Sequence, residues 1–308
     1  MPPVDRNNPT RAASSDSKYS VMEFMREFPD DEACLQWLWR TRCSEDGLHA
    51  ECPKCERPRP FHRVKGRPAW DCDYCGYHLH PTAASIFHKS STSLHLWFYA
   101  MFLVSQTRCG ISAKQLEREL GVTYKTAWRM LNLIRNQLMG DDGEILSGEV
   151  EADETYVGGT RRGQQRHPGR PKADESKTAV FGMAQRGGKV IATITPDTRL
   201  RTLEPQIRRH VLPKSIIYTD ELQSYQHLGK RGYVHRRIPH AQKVYVMGTV
   251  HTNTIEGFYG LLKSGIRGTY HAVSRKWLQG YLNEFAWRYN RRDDPRAMFH
   301  TLILRAAF

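Results

Sequence analysis

Two short cysteine pairs constrain this chain's folding more than any other feature. Cys52-Pro-Lys-Cys55 and Cys72-Asp-Tyr-Cys75 are separated by 16 residues, the spacing of a four-thiolate zinc site. The segment between them, Phe61 to Trp70, reads as a hairpin turning at Gly66-Arg67-Pro68. About 30 residues cannot bury enough apolar surface to fold alone, so one Zn²⁺ is expected to hold residues 48–90 together as a zinc ribbon. Four cysteine ligands leave no open coordination position, which makes that zinc structural rather than catalytic. His62, His78 and His80 offer substitute ligands, but surface or DNA contacts suit them better. Cys34 and Cys43 read as small buried thiols.

The rest of the chain is soluble in composition and strongly basic. Lys and Arg number 46 against 32 Asp and Glu, a formal charge of +14 over 308 residues. The excess is uneven: residues 51–140 carry 13 basic and 6 acidic groups, and residues 201–308 carry 18 and 7. Basic blocks of this kind attract the phosphate backbone and release its counterions. No apolar run approaches the roughly 20 residues of a membrane span. The amino terminus, Met1-Pro-Pro-Val-Asp-Arg-Asn-Asn, lacks the apolar core of a secretory signal, so a cytoplasmic, nucleoid-associated protein with no membrane partner is expected. Disulfides are not expected in such a reducing compartment.

Along the chain, residues 1–20 are polar and proline-rich and are expected to be a disordered tail. Residues 21–47 read as two helices broken at Pro29. Asp30 or Asp31 would cap the second, whose buried side would be Leu35, Leu38 and Trp39. Residues 91–140 are helical. Leu94, Trp97, Phe98, Met101 and Phe102 fall on one apolar face, and the stretch from Ile111 to Leu131 has the pattern of a helix-turn-helix. Ser112 would cap its first helix, Gly121 would make the turn, and Thr123 would cap the second. That second helix presents Tyr124, Lys125, Arg129 and Asn132 as candidates for a major groove.

A new domain is expected over 145–308. Its strands are read at Glu149–Val157, 178–185, 189–195, 215–219 and 233–238. Helices are read at 202–210 and 274–289, with one more after Pro295. The polar segment 158–176 is expected to be a mobile loop beside the active site. The order implies an α/β domain with a mixed sheet flanked by helices.

Three acids in this last domain carry chemistry. Asp153 and Asp220 each follow a short β-branched or aromatic run, where a strand ends by presenting a carboxylate. Glu256 opens a helical stretch whose apolar positions are Ile255, Phe258, Tyr259 and Leu262. Hard divalent cations take oxygen ligands, and a pair of them stabilises both oxygens of an in-line phosphoryl displacement. Glu154 and Glu221 are decoys, because a neighbour on a strand points to the opposite face.

A Cys-x-x-Cys ribbon, a helix-turn-helix and an Asp/Asp/Glu domain, in that order, resemble the DDE transposases of bacterial insertion sequences. The branch is the integrase-like, ISXO2-like one related to Merlin elements. The matching stretches are Val150-Glu-Ala-Asp-Glu-Thr-Tyr-Val-Gly-Gly159, Tyr218-Thr-Asp220, His251-Thr-Asn-Thr-Ile-Glu-Gly-Phe-Tyr-Gly-Leu-Leu-Lys263 and Gly265-Ile-Arg-Gly-Thr-Tyr-His271. The resemblance implies an RNase H-like fold for the catalytic domain. It implies that Asp153, Asp220 and Glu256 bind two Mg²⁺ or Mn²⁺ ions, and that Lys263 and Arg267 contact DNA. Lys263 lies seven residues after Glu256, nearly two turns along one helix face. Some members of the branch carry another residue in place of the third acid with an asparagine nearby, so Asn253 remains a rival third ligand or a helix cap.

The function implied is metal-dependent cleavage of double-stranded DNA at terminal inverted repeats, followed by strand transfer into target DNA. Two ends cut in concert call for a homodimer or larger assembly on DNA. The alternative is a domesticated zinc-ribbon and helix-turn-helix regulator without catalysis, and a plain nuclease is a third reading.

Overall fold

The computed structural model describes residues 18–140, 143–158, 177–220, 228–237, 251–294 and 297–308. Most of the expected tail, the segment 159–176 of the expected loop, and Glu221 lie outside them. The chain divides into two compact units. The first takes residues up to Thr107, Ala113–Leu138 and Asp294–Phe308, and the second takes Arg108–Ser112 and Met139–Asp293.

In the first unit, α1 (Val21–Glu27) and α2 (Asp31–Arg42) are separated at Pro29, and the Asp30 carboxylate accepts the Ala33 N–H to start α2. Leu35, Leu38 and Trp39 are the buried side of α2, as their spacing predicts. Four short strands follow: β1 (His49–Cys52), β2 (Arg57–Arg63), β3 (Trp70–Cys72) and β4 (His78–Leu79). They pair antiparallel in sequence order. The β2–β3 connection turns through Gly66, whose φ of +77° only glycine adopts freely. This small sheet has too little core of its own and borrows one from α2. Trp39 stacks on Trp70 at 4.6 Å between ring centroids, and both pack with Leu35, Phe61, Cys52 and Cys72.

Three helices complete the middle of the unit: α3 (Leu94–Gln106), α4 (Ala113–Leu120) and α5 (Tyr124–Leu133). α3 starts where the Ser93 hydroxyl accepts the Leu96 N–H. Gly121, at φ +65°, turns the chain between α4 and α5, and the Thr123 hydroxyl caps α5 through Thr126 N–H. The chain's last helix (Met298–Ala307) departs from expectation. Its Phe299 stacks on Tyr19 at 5.2 Å and meets Phe24, Phe28 and Phe102 edge-on, so its apolar side completes the first unit's core rather than the sheet domain's.

The second unit is built on a mixed five-stranded sheet, β5 (Glu149–Val157), β6 (Thr178–Gln185), β7 (Val190–Ile194), β8 (Ile216–Thr219) and β9 (Val234–Arg237). Their spatial order is β7-β6-β5-β8-β9. The first three form an antiparallel meander, while β8 and β9 run parallel to β5. Side-chain alternation divides the core into two layers. Val150, Ala152, Phe181, Met183, Ile191 and Ile217 face α6 (Leu200–His210), burying Leu203 and Ile207. Val157, Val180, Ala184, Val190 and Ala192 face α7 (Asn253–Gly265) and α8 (Arg275–Asn290).

The exposed edge of β7 is covered by α8 through side-chain amides. Asn290 accepts the Val190 N–H at 2.7 Å and donates to its carbonyl at 2.9 Å, and Gln279 accepts the Ile194 N–H at 3.0 Å. These amides occupy the backbone groups that would otherwise recruit another strand. No helix among the described residues is long and apolar enough to cross a membrane.

Candidate functional site

Register alone brings two acids together. β5 pairs with β8 as Glu149↔Ile216, Val150↔Ile217 and Glu151↔Tyr218. Continued by two residues, the same parallel register sets Asp153 beside Asp220, which follows the last residue of β8. Odd-numbered positions of β5 face α7, since Val157 packs in its layer and Glu151 bonds its first turn. Asp153 therefore points toward the helix that carries Glu256.

Electrostatics reports the same proximity. Burial pushes the Asp153 carboxyl up to about 7, against a backbone N–H of Glu154, and the charges of Asp220 and Glu256 add to the rise while Lys263 opposes it. The charges of Asp220, Glu256 and Lys263 thus all reach Asp153, but Glu256 is not among the carboxylate oxygens gathered within 4.8 Å of one another there. Glu256 is exposed at the start of α7, where the Thr252 hydroxyl donates to its Oε1 at 2.8 Å. The Lys263 ammonium sits 6.0 Å from the Tyr259 ring centre, and the Tyr259 hydroxyl donates to the Asp153 carbonyl at 2.6 Å. Asn253 is exposed as the first residue of α7, and Arg267 is exposed in the π-helical turn Ile266–Tyr270 that follows it.

Glu154 does not turn away as strand alternation predicts. One oxygen each of Asp153, Glu154 and Asp220 lie within 4.8 Å of one another. Among the described residues, β8 pairs with β5 only as far as Glu151. Carboxylate oxygens so gathered are the donor set a hard divalent cation takes. Burial is the main cause of the raised Asp153 pKa, and the like charges of Asp220 and Glu256 add to it.

Sequence reading missed the residues beneath this cluster. Glu151 is fully buried and accepts the N–H groups of Thr254 at 2.7 Å and Ile255 at 3.1 Å. Arg186 donates to it at 2.8 Å and to Glu149 at 2.7 Å. A buried ionic residue has to be paired, so Glu151 within the run Val-Glu-Ala-Asp carried a signal. Its partners, 35 and more than 100 residues away, did not.

In the first unit the four cysteines converge. Their sulfurs lie within 4.8 Å of one another, with Cys52 to Cys75 at 3.5 Å and Cys55 to Cys72 at 3.9 Å. A tetrahedral ion bonded to sulfur at about 2.3 Å would need roughly 3.8 Å between sulfurs, so the cluster fits one. Although burial opposes it, N–H groups of Cys55 and Lys54 and the Cys75 thiol bring the Cys52 thiol down to about 7, toward the thiolate a metal binds. Cys34 is fully buried, with its thiol pushed up by that burial, and neither it nor Cys43 joins the cluster. On α5, Tyr124, Lys125 and Arg129 are exposed, while Ala127, Met130 and Leu131 are buried. Asn132 is half-buried and accepts from Asn136 at 3.0 Å.

Residues 145–290 match the family model of the ISXO2-like transposase domain. The chain is 28% identical over 287 residues to an uncharacterized protein in transposable element ISH50 of Halobacterium salinarum, covering 87% of this chain and 92% of that one. It is 30% identical over 105 residues to an uncharacterized transposase-like protein of Haemophilus influenzae, covering 34% of this chain and 84% of that one. A solved Mos1 strand transfer complex aligns over 68% of this chain and 74% of its own at 12% identity. Its TM-score of 0.27 is too low to bear on the fold.

Proposed function

Because this chain belongs to the insertion-sequence DDE transposases of the ISXO2-like family, we propose that it cleaves double-stranded DNA at the terminal inverted repeats of its element and joins the freed ends to target DNA. The observation that carries the reading is the meeting of Asp153 and Asp220, whose carboxylate oxygens lie within 4.8 Å of each other where β5 and β8 run side by side, on the face of β5 that meets the helix bearing Glu256 and Lys263. The strand order, with the second strand antiparallel to the rest of the core, supports an RNase H-like fold for this unit.

Asp153, Asp220 and Glu256 would hold two Mg²⁺ or Mn²⁺ ions, with Glu154 within reach of the same place. Bound there, the ions would activate the attacking oxygen and stabilise the leaving one. In the first reaction water breaks a phosphodiester and leaves a 3′-hydroxyl. In the second that hydroxyl attacks a target phosphodiester and displaces its 3′ oxygen, so one bond forms for each bond broken and no ATP is needed. Lys263, on the same helix as Glu256, would hold a phosphate beside the scissile bond as a compact positive charge. Arg267, one turn further, would extend that contact. Asn253 stays a candidate for the third ligand by its place at the head of α7.

The four cysteines would hold a structural Zn²⁺ and keep the ribbon folded. Tyr124, Lys125 and Arg129 on α5 would face a major groove, with Asn132 at the margin. Two ends cut together would require a dimer or larger assembly on DNA.

The test is cleavage of a plasmid carrying this gene with its native flanking DNA, in Mg²⁺, Mn²⁺ or EDTA. Breaks at inverted repeats are expected for wild type with either cation. Asp153→Asn should reduce them to background while DNA binding persists. Binding without breaks in the wild type would favour a non-catalytic regulator instead.

A further inference from the structure

The buried carboxylate of Glu151 draws its partners from the elements that carry the acids. Its oxygens accept from Arg186 Nε at 2.8 Å, from the Thr254 and Ile255 N–H groups at 2.7 and 3.1 Å, and from the Thr254 hydroxyl at 3.0 Å. The His251 ring approaches one of them at 3.3 Å. The two backbone donors belong to the first turn of α7, where helix N–H groups lack partners and a negative charge is favoured. The helix does not cap itself: Thr252 makes no side-chain cap bond, and its hydroxyl goes to Glu256 instead. The start of α7 is thus fastened by a residue of β5, two positions before Asp153.

Arg186 extends the tie to the third element. It pairs with Glu149 and Glu151, donates to the His251 carbonyl at 2.8 Å, and lies 4.0 Å over the ring of Tyr218. Glu151, Tyr218 and His251 stand two, two and five residues before Asp153, Asp220 and Glu256. One guanidinium therefore touches the approach to each of the three acids.

We propose that Glu151 and Arg186 form a positioning pair that fixes Glu256 against Asp153 and Asp220, and so sets the affinity of the acids for their divalent cations. Neither residue contacts the cation or the DNA; both act through the place of Glu256. The inference rests on the reading of those three acids as cation ligands.

Mn²⁺ binding to the full-length, zinc-loaded protein, followed by calorimetry, tests it alongside plasmid cleavage at varied Mn²⁺. Glu151→Gln keeps the side chain's size and should weaken Mn²⁺ binding on the order of tenfold, with cleavage recovering as Mn²⁺ is raised. On a Glu256→Ala background the same substitution should change binding less than twofold, because residues acting through one group are not additive. Unchanged Mn²⁺ affinity in Glu151→Gln, or an equal loss with and without Glu256, would overturn the pairing and leave a merely structural ion pair. Should Glu151→Gln fail to fold, Arg186→Lys carries the same cycle, since it keeps the charge and loses the fork. Wild-type Mn²⁺ affinity there would be equally decisive against the idea. Asp153→Asn separates the two readings: Mn²⁺ bound as in wild type would remove the cation site itself, whatever Glu151 does.

Discussion

At Gly182 two side chains of α7 lie close against the sheet. It lies opposite Asp153 in the β5–β6 register, and a Cβ there would meet the Tyr259 hydroxyl at 2.4 Å and Ile255 Cδ1 at 2.7 Å. Ile255 adjoins Glu256, and Tyr259 holds the Asp153 carbonyl. One added methyl would have to displace the Ile255 and Tyr259 side-chain ends, Tyr259 with its bond to Asp153, or the helix that carries them, and overpacking of this kind costs about 1–3 kcal/mol. Gly182→Ala is expected to lower the melting temperature modestly and to reduce metal-dependent cleavage by a larger factor. Melting and cleavage measured on one preparation check this, and equal cleavage in the two proteins would show that α7 does not need its close seat. The sequence marks Gly182 only as a small residue within a strand, because the atoms that forbid a side chain come from a helix more than 70 residues later. The same distance hid Glu151. The places of Asp220, just after the last residue of β8, and of Glu256, in the first turn of α7, were legible because neighbouring residues define those ends, whereas Asp153, expected at a strand end, lies in the middle of β5.

At the scale of elements, the hairpin turn at Gly66, the break at Pro29 and the Gly121 turn all follow from residues within the segments they shape. The last helix did not. Its apolar side fits either unit by pattern, and the aromatic ring of Tyr19, near the other end of the chain, decided which. The turn between α4 and α5 is likewise a local feature, whereas use of α5 in DNA binding is a claim about its outer face. Lys125 and Arg129 are exposed there, beside an exposed Tyr124 whose ring lies 5.2 Å from the Lys114 ammonium. Each phosphate neutralised adds about 0.9 to the slope of log affinity against log salt. Lys125→Gln with Arg129→Gln should therefore lower that slope by up to about 2 on DNA bearing the element's ends. Mn²⁺ affinity at the acids should stay as in the wild type. A salt slope equal to wild type would take α5 off the DNA.

Across the whole molecule, the two units carry opposite ligand chemistries. The first gathers four soft sulfurs and the second gathers hard carboxylate oxygens. Soft thiolates select zinc, whereas carboxylates suit Mg²⁺ or Mn²⁺. Thermal stability should therefore answer to two cations through two separate sets of residues. A cation that binds only the folded state stabilises it by about 2.7 kcal/mol at a hundred times its dissociation constant. Mn²⁺ added to zinc-loaded protein should raise the melting temperature, and Asp153→Asn should abolish that rise. A zinc chelator should lower stability in wild type and in Asp153→Asn alike, since the ribbon's packing of Trp39 on Trp70 is built around Cys52 and Cys72. Calorimetric scans of both proteins, with and without each reagent, give four comparisons. An Mn²⁺ response that survives Asp153→Asn would place the hard-cation site elsewhere in the chain. A chelator without effect would mean that the four cysteines hold their ribbon together without metal.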